Sequence, residues 1–351
     1  MQLWCVLDYR CLMTTLINRQ YYLAARPAGL PTSTDVPARD APLSAPRSGE
    51  VILRNLYISL DPAIRGWMGD DPNYIEPIAI GDAVRSSVIG RVVQSNSPDF
   101  AVGDVAMSLG GWEAYTTAPA AALNRLDENS GIPLSCFLGV LGPTGLTAYF
   151  GLLEVGRPKA GETVLVSAAA GAVGSIVGQI AKMQGCRVVG IAGSDDKCAW
   201  LREELGFDAA INYRSCGDYE AAIRAACPDG VDVYFDNVGG DILEAALACL
   251  NKFARVAVCG WISTYNIADA PGPSARSLWQ LVANSVTIQG FVVLDYIDRF
   301  PEGINQLAQW LMAGQLKYRE DVVDGLDNIL PTFLRLFDGS NQGKLVVRIP
   351  E

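Results

Sequence analysis

The sequence predicts an α/β protein in which a compact β-rich domain accompanies a doubly wound parallel sheet of six strands. A chain of 351 residues is too long for one ordinary hydrophobic core, which indicates two domains. From Glu50 to Thr117, runs rich in Val, Ile and Tyr are separated by Pro, Gly and Asp turns, as in a compact β structure. From Thr163 onward, short apolar runs alternate with helical segments, which is typical of a parallel sheet covered by helices.

The β-rich part contains three long strand-like segments and at least one tight turn. The turn is predicted at Gly103-Asp104, because both residue types favour turns. The segments are VILRNLYISL at 51–60, VIGRVVQS at 88–95 and VAMSLGGWEAYTT at 105–117.

The second part alternates between strands and helices, and its tail departs from that rhythm. The tail has predicted helices at 303–312 and 326–337 and a strand at 344–349, and we expect it to return to the first domain. In the alternating region, the predicted strands cover 163–167, 187–192, 208–213, 231–236, 254–260 and 285–291, and the predicted helices begin near Val173 and cover 195–205, 218–226 and 241–250.

Charge and hydropathy exclude several classes of partner. The net charge is −11 and no lysine or arginine run offsets it, so nucleic acid and anionic membranes would be repelled and a small-molecule ligand is expected. No apolar run approaches the roughly 20 residues that span a bilayer. The opening segment resembles a signal peptide only superficially, because Asp8 and Arg10 interrupt its apolar stretch. We interpret residues 1–12 as a disordered extension of a cytoplasmic protein whose domain begins near Met13.

The cysteine and histidine contents limit the chemistry. The nine cysteines form no CxxC pair and lie mostly in apolar runs, which indicates buried, reduced thiols. There is no histidine, which removes the commonest general base and metal ligand. Acid–base chemistry must therefore fall to Tyr, Lys, Asp, Glu, Cys or a cofactor, and no metal site is predicted.

A strand–turn–helix unit from Thr163 to about Gln184 carries the main binding motif. The strand is followed by AAAGAVG at 168–174, which matches the pattern AxxGxxG. Small residues there let the backbone approach a pyrophosphate at a helix N-terminus. Gly174 and Gly178 lie four residues apart and are expected to press the helix against the sheet. The glycines alone could serve only packing, but the flanking strands favour a dinucleotide site.

The end of the second strand of this unit distinguishes two cofactors. NAD sites usually place a carboxylate there, whereas this chain has Gly193-Ser194 and Lys197. A hydroxyl and an ammonium suit the 2′-phosphate of NADPH, which we predict as the cofactor. Asp195 and Asp196 lie between them and are either an obstacle or residues favoured by the helix dipole. Lys197 is alternatively an ordinary surface lysine.

Seven segments together resemble the zinc-independent branch of the medium-chain dehydrogenase/reductase superfamily, which contains alkenal double-bond, prostaglandin and curcumin reductases. The resemblance covers nearly the whole chain from about Met13. Zinc-dependent relatives carry a GHE motif and a four-cysteine lobe, and this chain has neither. The segments are NLYISLDPAIRGWM at 55–68, LGPTGLTAYFGLLEVG at 141–156, VLVSAAAGAVGSIVGQIAK at 164–182, GSDDKCAWL at 193–201, YFDNVGG at 234–240, CGWISTYN at 259–266 and GSNQGKLVVRI at 339–349.

The resemblance implies a GroES-like β-rich domain, residues 13–135 and 305–351, joined to a Rossmann domain, residues 136–304, usually in a homodimer. It also implies hydride transfer from NADPH to the β-carbon of an α,β-unsaturated ketone or aldehyde. Tyr265 matches the family position proposed to stabilise the resulting enolate, with water as the alternative proton source. The implied cofactor contacts are Gly171, Ala172, Val173 and Gly174 at the pyrophosphate; Ser194, Lys197 and Tyr213 at the 2′-phosphate; and Asn237, Cys259, Gly260, Ile262, Ser263, Tyr265, Phe291, Val292, Val293 and Asn341 at the ribose and nicotinamide.

The substrate side departs from the family pattern. Ala63 stands where many relatives have tyrosine, and Trp261 stands where smaller residues are common. Tyr57 is a weak pocket candidate that is alternatively a packing residue. We expect Arg65 to form a structural ion pair, and Asp236 to cap or support rather than act as a general base. A quinone reductase of the same superfamily and a non-catalytic nucleotide-binding relative are the alternative functions.

Overall fold

The computed structural model describes residues 16–71, 73–269 and 272–350, without the side chains of Ala275 and Arg276. The predicted extension at residues 1–12 lies outside this range. No helix in the described residues is long and apolar enough to cross a bilayer. The strands are β1 Ile17–Tyr21, β2 Ala38–Pro42, β3 Glu50–Leu60, β4 Arg85–Ser95, β5 Val105–Gly111, β6 Tyr115–Pro119, β7 Asn124–Leu126, β8 Thr163–Val166, β9 Arg187–Ala192, β10 Ala209–Asn212, β11 Val231–Asp236, β12 Leu250–Val258, β13 Thr287–Gly290, β14 Glu320–Asp324 and β15 Lys344–Arg348. The α-helices are α1 Ala63–Trp67, α2 Pro143–Phe150, α3 Gly174–Met183, α4 Asp195–Glu203, α5 Tyr219–Ala226, α6 Gly240–Leu247, α7 Ala275–Ala283, α8 Phe300–Met312 and α9 Ile329–Asp338.

The first sheet has the neighbour order β14-β15-β3-β4-β5-β7, and β6 pairs with β3. Its central strand β3 is antiparallel to β4, β6 and β15. The side chains of β3 enter two hydrophobic clusters, one containing Val51 and Leu53 and the other Ile58 and Leu60. One long strand thus contributes to both clusters of this seven-stranded sheet, which confirms the predicted GroES-like β-rich fold.

The second sheet has six parallel strands in the order β10-β9-β8-β11-β12-β13. Val164 and Val166 of β8 enter one hydrophobic cluster, and Leu165 enters another, because successive side chains of a strand face opposite sides. The strand order reverses between β8 and β11. Ligands of such sheets bind at the carboxyl ends of the strands beside this reversal. The predicted Rossmann-type sheet of six strands is confirmed.

The C-terminal segment belongs to both halves of the molecule. β15 pairs with β3, so the end of the chain lies in the first sheet. By contrast, α8 crosses the predicted domain boundary at residue 305, and its buried Leu307 lies in the cluster that also covers the parallel sheet. The exact domain limits stay a prediction.

Two local features differ from the sequence predictions. The helix predicted at 241–250 ends at Leu247, because the chain turns there and β12 already begins at Leu250. The sequence predicts no helix at 141–156, where α2 and a π-helical turn, Gly151–Gly156, are found. Glycines lower helix propensity in this segment, and tertiary packing overrides it.

Seven cysteines in the described residues are free thiols, and five of them are buried. A protonated thiol is a poor nucleophile, so the thiols whose pKa is raised are expected to react slowly near neutral pH. Burial is the main cause of raised pKa values, to about 11 at Cys136, Cys186 and Cys249, to about 12 at Cys227 and Cys259, and above the ordinary value at Cys198.

Candidate active site

A hydrogen-bond network joins the neighbouring carboxyl ends of β8 and β11. The Ser167 hydroxyl donates to Asp236 Oδ1 at 3.1 Å and accepts the backbone N–H of Asn237 at 2.8 Å. The Asn237 side-chain amide donates to the Ser167 carbonyl at 2.7 Å. This network fixes the edge of the crevice at the strand reversal, with Asn237 on it.

Asp236 holds this edge through a single carboxylate oxygen. Oδ1 also accepts the Tyr234 hydroxyl at 2.7 Å and the backbone N–H groups of Val238 and Gly239, each at 3.0 Å. These two N–H groups lie in the turn that leads into α6, so the carboxylate fixes the shape of this turn. Asp236 is fully buried. The arrangement therefore favours the predicted supporting role over general-base catalysis.

The turn between β8 and α3 is shaped by close backbone contacts. A β-carbon at Gly174 would lie 2.5 Å from the Ala168 carbonyl oxygen, so glycine is required there. In the described residues, the N–H groups of Ala172 and Val173 have no protein acceptor. They lie at the positively polarised N-terminus of α3, which suits an anionic group. The turn Gly171–Gly174 therefore fits the pyrophosphate assigned to it.

The C-terminal segment touches the same turn. Gly343 forms a bridge with Gly171, and its N–H donates to the Ala170 carbonyl at 3.3 Å. The Asn341 side-chain amide donates to the Gly343 carbonyl at 3.1 Å. The structure thus brings Asn341 to the glycine turn, although the two are 170 residues apart in sequence.

A cationic cradle lies beyond the end of β9. Ser194 caps α4 by accepting the Lys197 backbone N–H at 3.3 Å, and Lys197 Nζ donates to the Gly339 carbonyl at 2.7 Å. Burial lowers the pKa of Lys197. Tyr213 packs over Gly193, where a β-carbon would lie 3.0 Å from the phenol oxygen. Ser194, Lys197 and Tyr213 are therefore gathered at one site, as the 2′-phosphate prediction requires.

Arg214 belongs to this cradle and was not among the predicted residues. Its guanidinium donates to the Asp338 carbonyl and lies over the Tyr213 ring. The only sequence signal is its position next to Tyr213. Asp195, which lay between the predicted phosphate ligands, accepts from the Asn212 side chain at 2.8 Å and is exposed. It therefore faces solvent at the start of α4, which favours the helix-dipole explanation.

The segment 259–266 runs along the crevice and is anchored to the parallel sheet. The N–H of Cys259 donates to the Asp236 carbonyl at 2.8 Å, and that of Ile262 donates to the Asn237 carbonyl at 3.3 Å. The Ser263 N–H and hydroxyl donate to the Val238 carbonyl at 3.1 and 2.6 Å. Backbone bonds of this kind place the segment at the carboxyl ends of β11 and β12.

Tyr265 is the polar side chain whose geometry is most distinctive in this segment. Its hydroxyl accepts the backbone N–H of Trp261 at 3.2 Å, and no described residue accepts its own proton. A β-carbon at Gly260 would lie 2.7 Å from the hydroxyl oxygen, so glycine makes room for it. Burial raises the pKa of Tyr265 to about 12. The phenol is therefore protonated near neutral pH and retains a proton to donate.

Two aromatic residues of the first domain, which sequence reasoning did not single out, contact each other. Trp67 and Tyr74 form an edge-to-face pair with ring centroids 6.4 Å apart. Partial burial raises the pKa of Tyr74, and Asp61 and Cys259 act in the same direction. No motif marks Tyr74, because it lies in a polar loop.

The remaining predicted residues have mixed placements. Tyr57 packs against the cluster of Ile89 and Val346, which favours its packing role. The Trp261 ring lies on Gly239 and joins the cluster of α5 and α6, so its indole is used for packing. Ala63 is the half-buried first residue of α1, and Phe291, Val292 and Val293 are half-buried after β13. The Phe291 ring is itself pressed against Gly151 and Phe235, so only its backbone is free to meet a ligand.

In the described residues, no three His, Cys, Asp or Glu side chains gather as a metal site. The polar groups of the crevice are instead hydroxyls, amides, backbone N–H groups and cations. This composition suits an extended polyanionic nucleotide rather than a metal ion.

The fold and crevice define a two-domain oxidoreductase with a nucleotide site between a β-rich and a parallel-sheet unit, and comparisons with known proteins agree. A family described as "N-terminal domain of oxidoreductase" matches residues 19–126, and one described as "Zinc-binding dehydrogenase" matches residues 172–309. YfmJ of Bacillus subtilis (strain 168) is 49% identical over 340 residues, 96% of this chain and 99% of its own length.

Two further relatives carry descriptive names. The "NADPH-dependent curcumin reductase" of Escherichia coli (strain K12) is 41% identical over 336 residues, 95% of this chain and 97% of its own. The crystal structure of CurA in complex with NADPH from Vibrio vulnificus has a TM-score of 0.89 and 40% identity, and the match covers 95% of this chain and 99% of that one. The chain belongs to the zinc-independent branch of the medium-chain dehydrogenase/reductase superfamily, which confirms the predicted membership.

Removing the Lys197 ammonium tests the 2′-phosphate cradle. We expect Lys197→Ala to raise the NADPH dissociation constant by about 10- to 100-fold, because one charge-assisted contact of roughly 1.5–3 kcal/mol is lost. NADH, which lacks the phosphate, should bind Lys197→Ala as it binds the wild type. Both constants are measured by nucleotide fluorescence. Lys252→Ala removes an exposed, remote lysine and is the matched control. An equal loss for NADH and NADPH would contradict the assignment.

Proposed function

We propose that this chain reduces the carbon–carbon double bond of α,β-unsaturated ketones or aldehydes. As a member of its family, the chain is an oxidoreductase that uses NADPH. The glycine turn and the cation cradle fit that nucleotide, since they offer free N–H groups at one end and two cations at the other. The named relatives that reduce curcumin, alkenals and prostaglandins support the substrate class.

The residues that would hold NADPH are those gathered along the crevice. Gly171–Gly174 would receive the pyrophosphate, and Lys197 with Arg214 would receive the 2′-phosphate. Asn237 and the segment 259–265 would line the ribose and nicotinamide end. When bound, NADPH supplies a hydride for the β-carbon of the substrate.

The observation that carries the proposal is the Tyr265 hydroxyl, which is shielded from solvent, stays protonated near neutral pH and donates its proton to no acceptor in the described residues. Hydride addition to the β-carbon moves the π electrons onto the carbonyl oxygen and leaves an enolate. A protonated phenol in a site of low polarity is suited to hydrogen-bond that oxygen. One proton then adds to the α-carbon, so that the substrate gains a hydride and a proton in total. Tyr265 is the donor we assign to this proton, and water restores the proton on the phenol.

We also propose a homodimer in which two copies of β13 pair edge to edge. β13 is the exposed last strand of its sheet, with β12 on one side only, and Ile288 on it is 39% exposed. Next to it, α7 exposes Trp279 and Val282. An unprotected apolar edge is usually covered, and a twofold axis would continue the sheet into the second copy. We also propose a cytoplasmic location, because free thiols persist there.

A substrate panel tests the reaction class. We expect the wild type to oxidise NADPH with an alkenal or an enone faster than with a quinone, and to prefer NADPH over NADH. The rates are followed by NADPH absorbance. A faster quinone reaction would instead identify a quinone reductase, and NADPH binding without oxidation by any compound would identify a non-catalytic relative.

The donor role of Tyr265 is tested by removing only its oxygen. We expect Tyr265→Phe to lower kcat by about 100-fold, the usual effect of losing one donor to a developing oxyanion, with the NADPH dissociation constant unchanged. Gly260→Ala should also lower kcat, because its methyl group displaces the hydroxyl oxygen. In the Tyr265→Phe background the same substitution should have little further effect. An unchanged kcat for Tyr265→Phe would assign the proton transfer to water.

The raised pKa of Tyr265 fixes the direction of its pH dependence. Because the neutral phenol is favoured until about pH 12, Tyr265 should cause no alkaline fall in kcat below about pH 11. An alkaline limb in the wild type below that pH that disappears in Tyr265→Phe would contradict this assignment.

The dimer is tested by charging the sheet edge. We expect the wild type to have the mass of two chains in light scattering and Ile288→Lys to have the mass of one, because a buried lysine at a twofold edge meets its own copy. Val102→Lys, which alters an exposed residue of the first domain, is the control. A monomeric wild type would remove this proposal.

A further inference from the structure

Arg65 is a buried cation that joins three separate parts of the chain. Only 7% of its surface is exposed, and it lies in the short helix α1. Its Nε donates to the Gly29 carbonyl and to Asn266 Oδ1, both at 3.0 Å. Its Nη2 donates to the Pro27 carbonyl at 2.9 Å. The first and last of these acceptors belong to the N-terminal segment, and Asn266 belongs to the segment that carries Tyr265.

These partners overturn the expected ion pair. In the described residues Arg65 forms no salt bridge, and its acceptors are two carbonyl oxygens and one amide oxygen. Burial lowers the pKa of Arg65, and the Asp35 carboxylate acts weakly in the opposite direction. A buried guanidinium is costly unless its N–H groups are bonded, so the geometry of these acceptors is tightly specified.

Asn266 accepts a hydrogen bond from Arg65 and directly follows Tyr265, the residue that carries the proposed catalytic hydroxyl. The turn before it is closed by the Thr264 N–H and hydroxyl, which both donate to the Trp261 carbonyl at 2.9 Å. The Trp261 N–H in turn donates to the Tyr265 hydroxyl. The parallel sheet anchors one end of this turn through Ser263, and Arg65 holds the other end from the β-rich domain. Loss of the Arg65 contact would leave the Tyr265 end attached on one side only.

We propose that Arg65 is a positioning residue for Tyr265, acting through Asn266 to hold the phenol where the substrate oxygen arrives. This inference rests on the proposed reductase function. Arg65 does not touch the reacting atoms, and the cofactor contacts at the glycine turn and cation cradle do not involve it. Its loss should therefore lower kcat while leaving NADPH affinity intact. A misplacement of about 1 Å in a catalytic group is sufficient to lower a rate by one to two orders of magnitude.

Four variants separate positioning from general stability. Arg65→Lys keeps the positive charge but loses the planar guanidinium, whose Nε and Nη2 donate to Asn266 and to the N-terminal segment at once. Asn266→Ala removes only the acceptor oxygen in the segment that carries Tyr265. Asn266→Asp keeps an acceptor oxygen and is the rescuing variant. Arg187→Lys is the control, because Arg187 also donates to a backbone carbonyl, that of Ala226, but lies at the amino end of β9, away from the carboxyl ends that form the crevice.

We expect Arg65→Lys and Asn266→Ala each to lower kcat at least about tenfold, with the NADPH dissociation constant within twofold of wild type. Asn266→Asp should retain most of the wild-type kcat, and Arg187→Lys should leave it unchanged. In the Tyr265→Phe background, Arg65→Lys and Asn266→Ala should have almost no further effect on kcat. A purely structural role would lower kcat by the same factor in both backgrounds.

Hydrogen exchange gives a readout that needs no substrate. We expect the backbone amide of Trp261 to exchange faster in Asn266→Ala than in wild type, because its acceptor is the Tyr265 hydroxyl. Unchanged exchange in both Arg65→Lys and Asn266→Ala, or a kcat loss that persists without the Tyr265 hydroxyl, overturns the inference. A wild type that reduces no enone overturns the proposed function instead, and the exchange result still decides whether Arg65 positions Tyr265. If Arg65→Lys fails to fold, the Asn266→Ala and Asn266→Asp pair carries the test.

Discussion

The crevice depends on the bonds among Ser167, Asp236 and Asn237, which join the ends of two strands where the sheet order reverses. They determine how far β8 and β11 separate, and hence where the glycine turn leaves one strand and α6 follows the other. A carboxylate can do this while fully buried only because four donors converge on one of its oxygens. Segment 259–266 donates hydrogen bonds to the backbone carbonyls of Asp236, Asn237 and Val238, so the placement of Tyr265 depends on the same network.

The two cations of the nucleotide cradle are held by carbonyl oxygens rather than by carboxylates. In the described residues neither Lys197 nor Arg214 forms an ion pair, and each donates to a carbonyl at the C-terminal end of α9, that of Gly339 or Asp338. Carbonyl groups orient a cation without neutralising it. A chain with a net charge of −11 thereby keeps a local positive field for a phosphate. The turn after α9 thus belongs to the site although it is distant in sequence.

The sequence predicts both sheets and most strands because strand alternation and the AxxGxxG turn are local signals. The family resemblance assigns Ser194, Lys197 and Tyr213 to one phosphate site, and the structure brings these residues together beyond the neighbouring strands β9 and β10. The sequence fails where contacts are long-range. Arg65 was expected to meet a carboxylate, but its partners come from segments 36 and 201 residues away in sequence. Tyr74 and Arg214 have no motif, and the Trp261 indole turns toward Gly239, because burial against α6 outweighs a place in the crevice.

The burial of the cysteine thiols has a second consequence, which concerns their reaction with the proposed substrates. An alkenal is an electrophile, and its β-carbon is attacked by thiolates as readily as by hydride. Cys259 lies in the same segment as Tyr265, yet burial and the nearby Asp236 carboxylate raise its pKa to about 12. The thiolate is therefore scarce where the electrophile would be most concentrated, and the other buried cysteines are protected in the same way. The packing that stabilises the fold would also make the protein resistant to alkylation by the compounds it consumes.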